Sequence, residues 1–377
     1  VPLELSAVEK IAHFCFVDVS QVVVVRDMPS IYQVPLLLEK QGLIPLLRDI
    51  LQLQNVSISP AMTQKGRNTW AQWKSLTDSD NRYYDTVSIV LVGKYIELHD
   101  SYLSVIKALE HSAMRCRRKL QIEWVDSEHL EPKTRDSDPA KFHKAWHNVC
   151  TASGILVPGG FGTRGTEGKI AAAKWARENK TPYLGICLGM QIAVIEYARN
   201  ICGITGGTSE EFNAEAADKI IMFMPEVDKT TMGASMRLGL RPTLFQEGSE
   251  WSRLRALYAG NHEILERHRH RYEVNPAYIE TLEKAGMTFI GKDENGERME
   301  VIEIKDHPWF VGVQFHPEYL SRVLDPSRPY LGFVAASAGL LAEVTKEYST
   351  GKGPSNAVEG IQNGVNGLAV NGETGLF

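Results

Sequence analysis

From Val87 onward, short β-branched runs alternate with longer segments of helical period. "TVSIVLVG", "LQIEWVD", "GILVPGG" and "PYLGI" read as buried strands. Between and after them, "LHDSYLSVIKALEHSA", "TEGKIAAAKWARENK" and "LGMQIAVIEYARN" read as helices. Strand and helix in alternation predict an α/β fold: an open, mostly parallel sheet with helices on both faces. Further on, "MTFIGKDENGERMEVIEIK" predicts a hairpin turning at Asn295-Gly296. "WFVGVQFHPE" adds a strand, and Tyr330 to Tyr348 a closing helix.

The first 55 residues form a separate block. "SAVE" predicts a capping box, with Ser6 as N-cap and Glu9 reaching back. "QVVVVRD" predicts a strand buried on both faces, and "VPLLLEKQGLIPLLRDILQL" helical segments interrupted by Gly42 and Pro45. Residues 56–85 are expected to be a linker with one short helix, its Trp70 and Trp73 packing onto a domain rather than forming a nucleobase platform. A larger domain is expected over 86–345, and a disordered Gly/Asn-rich tail over 346–377.

A net charge of −5 gives no general pull towards nucleic acid or anionic membrane. No apolar run approaches the roughly 20 residues that span a bilayer. The five cysteines include no CxxC pair, which argues against a disulfide framework or zinc ribbon and suggests a reducing, cytoplasmic setting. The start "VPLELSAVEK" has no signal-peptide pattern and no initiator methionine, and reads as internal to a longer protein.

Against this background, "LGICLGMQIAV" stands out. A strand ending at Ile186 and a helix starting near Leu188 place Cys187 on a tight strand-to-helix turn, a nucleophile elbow. Gly185 and Gly189 leave room for the turn, and the helix N-terminus favours negative charge on sulfur. A lone cysteine is more often inert; the glycine pattern shifts the balance. In "QFHPE", His316 and Glu318 lie two residues apart, so an extended segment would put both on one face. A thiol facing a carboxylate-held base has the logic of a catalytic triad. "VPGGFGTRG" offers backbone amides at Gly159 and Gly160 for an oxyanion. It fits neither GxGxxG nor the Walker A pattern.

Together "PGGFG", "GICLGMQ" and "QFHPE" resemble the class I glutamine amidotransferases. "VGKYIELHDSY", "PGGFGTRGTEGKI", "GASMRLG", "ERHRHRYEVNP" and the leading "SIYQVPLLLEKQGL" resemble the CTP synthase family more closely, over about residues 1–345. The resemblance implies that residues 1–55 end an α/β, P-loop-like synthetase domain. It implies glutamine hydrolysis by Cys187, His316 and Glu318, with ammonia passed to UTP that ATP has activated. Gly160, Leu188, Gly189, Met190, Gln191, Glu211 and Arg271 would form the glutamine site. Phe161 and Arg237 match positions linked to GTP, the allosteric activator, Lys10 a UTP/CTP-binding lysine, and Arg26, Asp27 and Met28 an ATP-facing segment.

The resemblance further implies Mg2+ in the full-length enzyme, no cofactor for glutamine hydrolysis itself, CTP as feedback inhibitor, and a homotetramer that can form filaments. His143 matches a filament contact region, although an ordinary exposed histidine fits as well. The family's glycine-rich nucleotide loop has no counterpart here, so the UTP-activating half and its metal ligands are expected to be missing and the chain itself not to make CTP. Two other readings stay open: the amidotransferase part of another ligase such as GMP synthetase, and a non-catalytic assembly module.

Overall fold

A computed structural model describes residues 3–77, 85–224 and 236–349; the tail expected to be disordered lies, from residue 350, outside them. The chain divides into two units, Val1–Tyr83 and Tyr84–Phe377.

In the first unit the predicted strand does not form. Residues 22–28 carry no regular element and are half-buried or exposed. A strand needs a neighbouring backbone, and no second strand exists among the unit's described residues. A side chain stands in at one residue: Val24 N donates to Gln41 Oε1 at 2.8 Å, and Gln41 Nε2 donates to Val24 O at 2.9 Å. The expected capping box is also absent. Helix α1 (Leu5–Cys15) has Glu4 as N-cap, with no side-chain bond, so Ser6 lies inside the helix. Helices α2 (Val34–Lys40) and α3 (Leu43–Ile50) are separated at Gly42, whose φ of +78° a side chain would resist. Helix α4 (Pro60–Thr77) is longer than the short helix expected. Trp73 fastens it down, donating from Nε1 to Tyr32 O at 3.0 Å with the two rings edge to face.

The second unit opens with β1 (Thr86–Gly93), α5 (Leu103–Arg115), β2 (Lys119–Asp126), α6 (Pro132–Ser137) and α7 (Pro139–Thr151). Then come β3 (Gly154–Val157), α8 (Thr166–Asn179), β4 (Tyr183–Ile186), α9 (Leu188–Asn200), β5 (Thr208–Ser209) and β6 (Lys219–Phe223). After these follow β7 (Arg237–Phe245), α10 (Arg253–Leu257), β8 (Glu263–His270), β9 (Tyr272–Val274) and α11 (Pro276–Lys284). The unit closes with β10 (Met287–Lys292), β11 (Met299–Ile304), β12 (Phe310–Val313), α12 (Arg328–Ser337) and α13 (Leu341–Ser349).

Nine strands form one sheet in the order β2-β1-β3-β4-β12-β11-β10-β7-β8. The first five are parallel and the last four join antiparallel. Strands β5, β6 and β9 make a small second sheet. Apolar helix faces cover both sides of the large sheet, with Leu109, Phe333 and Trp309 in one core and Val149, Ala173 and Ile195 in the other. The hairpin turn is longer than the two-residue form: Lys292 pairs with Met299, and Asp293 Oδ1 accepts from Glu297 N and Arg298 N. The closing segment is two helices, because the chain turns at Gly339 with φ +72°.

The consequence for function lies in three neighbouring strands. β4 pairs with β3 on one side and β12 on the other, with Gly185 opposite Val157 and Ile186 opposite Val313. Their carboxyl ends therefore deliver three loops to one place, where open α/β sheets bind ligands.

Candidate active site

Cys187 stands at the end of β4 with φ +50° and ψ −102°, a conformation few side chains adopt. Its amide donates to Val313 O at 2.7 Å, so the ladder between β4 and β12 holds the turn. The flanking glycines are steric requirements. A Cβ at Gly185 would lie 2.6 Å from the Gly189 carbonyl, and one at Gly189 would lie 2.0 Å from Val157 O. Strand β4 and helix α9 thus touch backbone to backbone.

His316 lies just past the end of β12, after Gln314 and Phe315. Its backbone N donates to Arg267 O at 2.8 Å, tying the loop to β8. The Cys187 sulfur lies close enough to the imidazole to favour its protonated form. His316 Nδ1 meets Glu318 Oε1 at 2.8 Å. Gly159, after β3, packs beside both: a Cβ there would come 2.8 Å from His316 Cε1 and 3.5 Å from Cys187 Cβ. Burial works against a charged His316, but the bonds and charges of Cys187 and Glu318 outweigh it and raise its pKa far above the ordinary histidine value. The arrangement stabilises an imidazolium, as a base that takes and returns a proton requires.

Sequence reasoning missed several neighbours. Gln314 Nε2 donates to Cys187 Sγ at 3.6 Å, and its Oε1 accepts from Gln191 Nε2 at 3.1 Å. The signal was present: Gln314 precedes His316 by two residues in "QFHPE". Gln191, expected to hold substrate, also donates to Tyr272 O at 3.0 Å, so both of its bonds are internal. Lys94, just past β1, donates from Nζ to the carbonyls of Phe161 and Gly162, both at 2.8 Å. From the other side Gly162 N donates to Glu211 Oε1 at 2.8 Å. The "PGGFG" loop is thus pinned at its carbonyls by a cation and at an amide by an anion.

Among the remaining expected residues, Gly160 lies over Leu188. Met190 is wholly in the core, and Gly189 serves packing. Arg271 lies near the Phe161 and Tyr272 rings, and its buried Nε has no partner in the protein. Phe161 is 42% exposed. Arg237, expected near an effector, pairs with Glu294 at 2.9 Å and Glu300 at 3.0 Å. In the first unit Lys10 is exposed on α1, and Arg26, Asp27 and Met28 line an open hollow with Leu3 and Ile31. No cluster of three metal-ligating side chains occurs among the described residues.

A thiol on an elbow, a carboxylate-held imidazole and a glycine loop are an arrangement able to perform cysteine-dependent acyl transfer. Residues 97–336 match the family glutamine amidotransferase class-I, and the chain belongs to it. Residues 1–53 match CTP synthase N-terminus. The chain is 64% identical over 355 residues to a CTP synthase of Neurospora crassa, covering 94% of this chain and 61% of that one. Against a CTP synthase of Schizosaccharomyces pombe, identity is 60% over 342 residues, covering 91% and 57%. The chain therefore spans about 60% of the length of these curated relatives. A solved glutaminase domain of Trypanosoma brucei CTPS, with bound acivicin, superposes with TM-score 0.61 at 42% identity, covering 67% of this chain and 94% of that one.

Proposed function

We propose that this chain carries the glutaminase half of a CTP synthase. The observation that supports it most is the meeting of Cys187, His316 and Glu318 at the ends of β4 and β12. The Cys187 sulfur attacks the glutamine carboxamide carbon, and the amides of Gly160 and Leu188 receive the oxyanion. His316 gives a proton to the departing nitrogen, so ammonia leaves and a thioester remains. The same imidazole then takes a proton from water, whose oxygen attacks the thioester and releases glutamate. Glu318 keeps the His316 ring oriented throughout.

Glu211 suits the α-amino group of glutamine and Arg271 its α-carboxylate. The unpartnered Arg271 Nε supports the second assignment. Ammonia passes to a synthetase half that activates UTP at O4 with ATP and Mg2+, giving CTP. Residues 26–28 would face ATP, and Lys10 would meet UTP or the feedback inhibitor CTP. GTP would act on the loop at Phe161; Arg237, held by Glu294 and Glu300, fits such contact less well. Assembly into a homotetramer, filament contacts near the exposed His143, and a cytoplasmic location belong to the same reading.

Glutamate release from glutamine, measured with and without GTP, tests this reading. Stimulation by GTP but not ATP supports it; no glutamate from the chain joined to its synthetase half overturns it. Glu211→Gln keeps an acceptor for Gly162 N but removes the charge. The expected result is a glutamine KM raised about tenfold with kcat changed less than about threefold, the mark of lost binding in both ground and transition states.

A further inference from the structure

Strand β8 runs beside the catalytic loop, and its burial alternates strictly from Glu266 to His270. Arg267 and Arg269 face outward; Glu266, His268 and His270 face the interior. Since Arg267 O receives His316 N, the Glu266 side chain enters the buried layer next to the turn that carries Glu318. Both carboxyl groups have one satisfied oxygen and one orphan. Glu266 Oε1 accepts from Tyr258 Oη at 2.7 Å, and Glu318 Oε1 meets His316 Nδ1. Glu266 Oε2 and Glu318 Oε2 are each buried with no partner in the protein.

Two bare carboxylate oxygens in one buried layer repel and lack solvation, whereas a single proton between them satisfies both. The groups facing Glu266 are Tyr258 at the end of α10, Glu318, and Arg328 on α12; Tyr330, also on α12, faces Glu318. Arg328 meets Asp325 and Pro326 O through Nη1, both at 2.7 Å, and stacks on Tyr348; its charge favours ionised Glu266, but burial and Glu318 oppose this more strongly and leave the proton on Glu266.

We propose that Glu266 is a positioning residue for the hydrolytic step: an uncharged carboxyl that donates, directly or through one bound water, to Glu318 Oε2 and holds Glu318 against His316. Burial pushes the Glu266 carboxyl up to about 8, with Glu318 adding to the rise, so the donor is present at neutral pH and lost above it. The inference rests on the glutaminase reading.

Three variants of the chain test it, each confirmed folded by thermal melting. Glu266→Gln keeps a donor in the same shape, so it is expected to retain kcat within about threefold. Its activity should also persist on the alkaline side, where the wild type declines as Glu266 ionises. Glu266→Leu removes the donor, and kcat is expected to fall about tenfold or more with KM little changed. Equal losses in both variants, or a wild-type rate in Glu266→Leu, would overturn the proposal. So would a large loss confined to Tyr330→Phe, which would make Tyr330 the donor. Infrared difference spectra give a reading independent of turnover: wild type minus Glu266→Gln should show one protonated-carboxyl band at pH 6.5 to 7, and its absence refutes the uncharged state. If wild type itself releases no Cys187-dependent glutamate, the glutaminase reading fails, and the spectrum still decides the protonation state of Glu266.

Discussion

Replacing Cys187 with alanine lowers glutamate release by on the order of a thousandfold or more, because every productive path runs through its sulfur. Removing the nucleophile leaves a site that still binds, so the dissociation constant for glutamine should stay within about threefold of wild type. Stability should change little, since alanine keeps the Cβ and the amide bond to Val313 O. Acid quenching of wild type with labelled glutamine should trap label on protein; the variant should trap none. Comparable hydrolysis by Cys187→Ala would remove the triad assignment, whatever the family resemblance.

A large structural effect is expected at Gly189. A methyl group there meets the backbone oxygen of Val157, which no rotamer change can move. To admit it, α9 must part from β3, and the elbow that joins β4 to α9 must distort. Gly189→Ala is therefore expected to destabilise the second unit by about 3 kcal/mol or more, at the upper end for overpacking. Hydrolysis should be lost together with stability. Gly203 provides the contrast, with φ +74° but nothing within 4 Å of an added Cβ. Gly203→Ala meets backbone strain alone and should cost about 1 kcal/mol. Chemical denaturation of the two variants measures the difference, and equal midpoints would show that the contact at Gly189 relaxes.

The parallel half of the large sheet was legible because its strands are buried on both faces. β1, β3, β4 and β12 carry continuous apolar runs that admit few other readings. The meeting of Cys187, His316 and Glu318 was legible for a related reason, since an elbow and an adjacent strand end each leave a short local mark. β8 escaped because its inward positions are Glu266, His268 and His270, so its alternation hides polar residues rather than apolar ones. β7 escaped because it carries Gly239 and Pro242 and is exposed through its middle. "QVVVVRD" misled in the opposite direction: β-branched residues favour extended backbone but do not supply the neighbour that makes it a strand. The role of Lys94 depends on contacts with residues distant in sequence, which no local pattern encodes.

Cys187, His316 and the glycine loop beside them hang from the ends of three adjacent central strands, all fully buried. Such strands are the last to open in local fluctuations, so their amides should be among the slowest to exchange with deuterium. A site mounted there should have no partly unfolded form that loses its geometry first. Inactivation by heat or denaturant should coincide with cooperative unfolding of the whole second unit, and no folded but inactive species should accumulate. The durability of the activity is then the durability of the sheet itself.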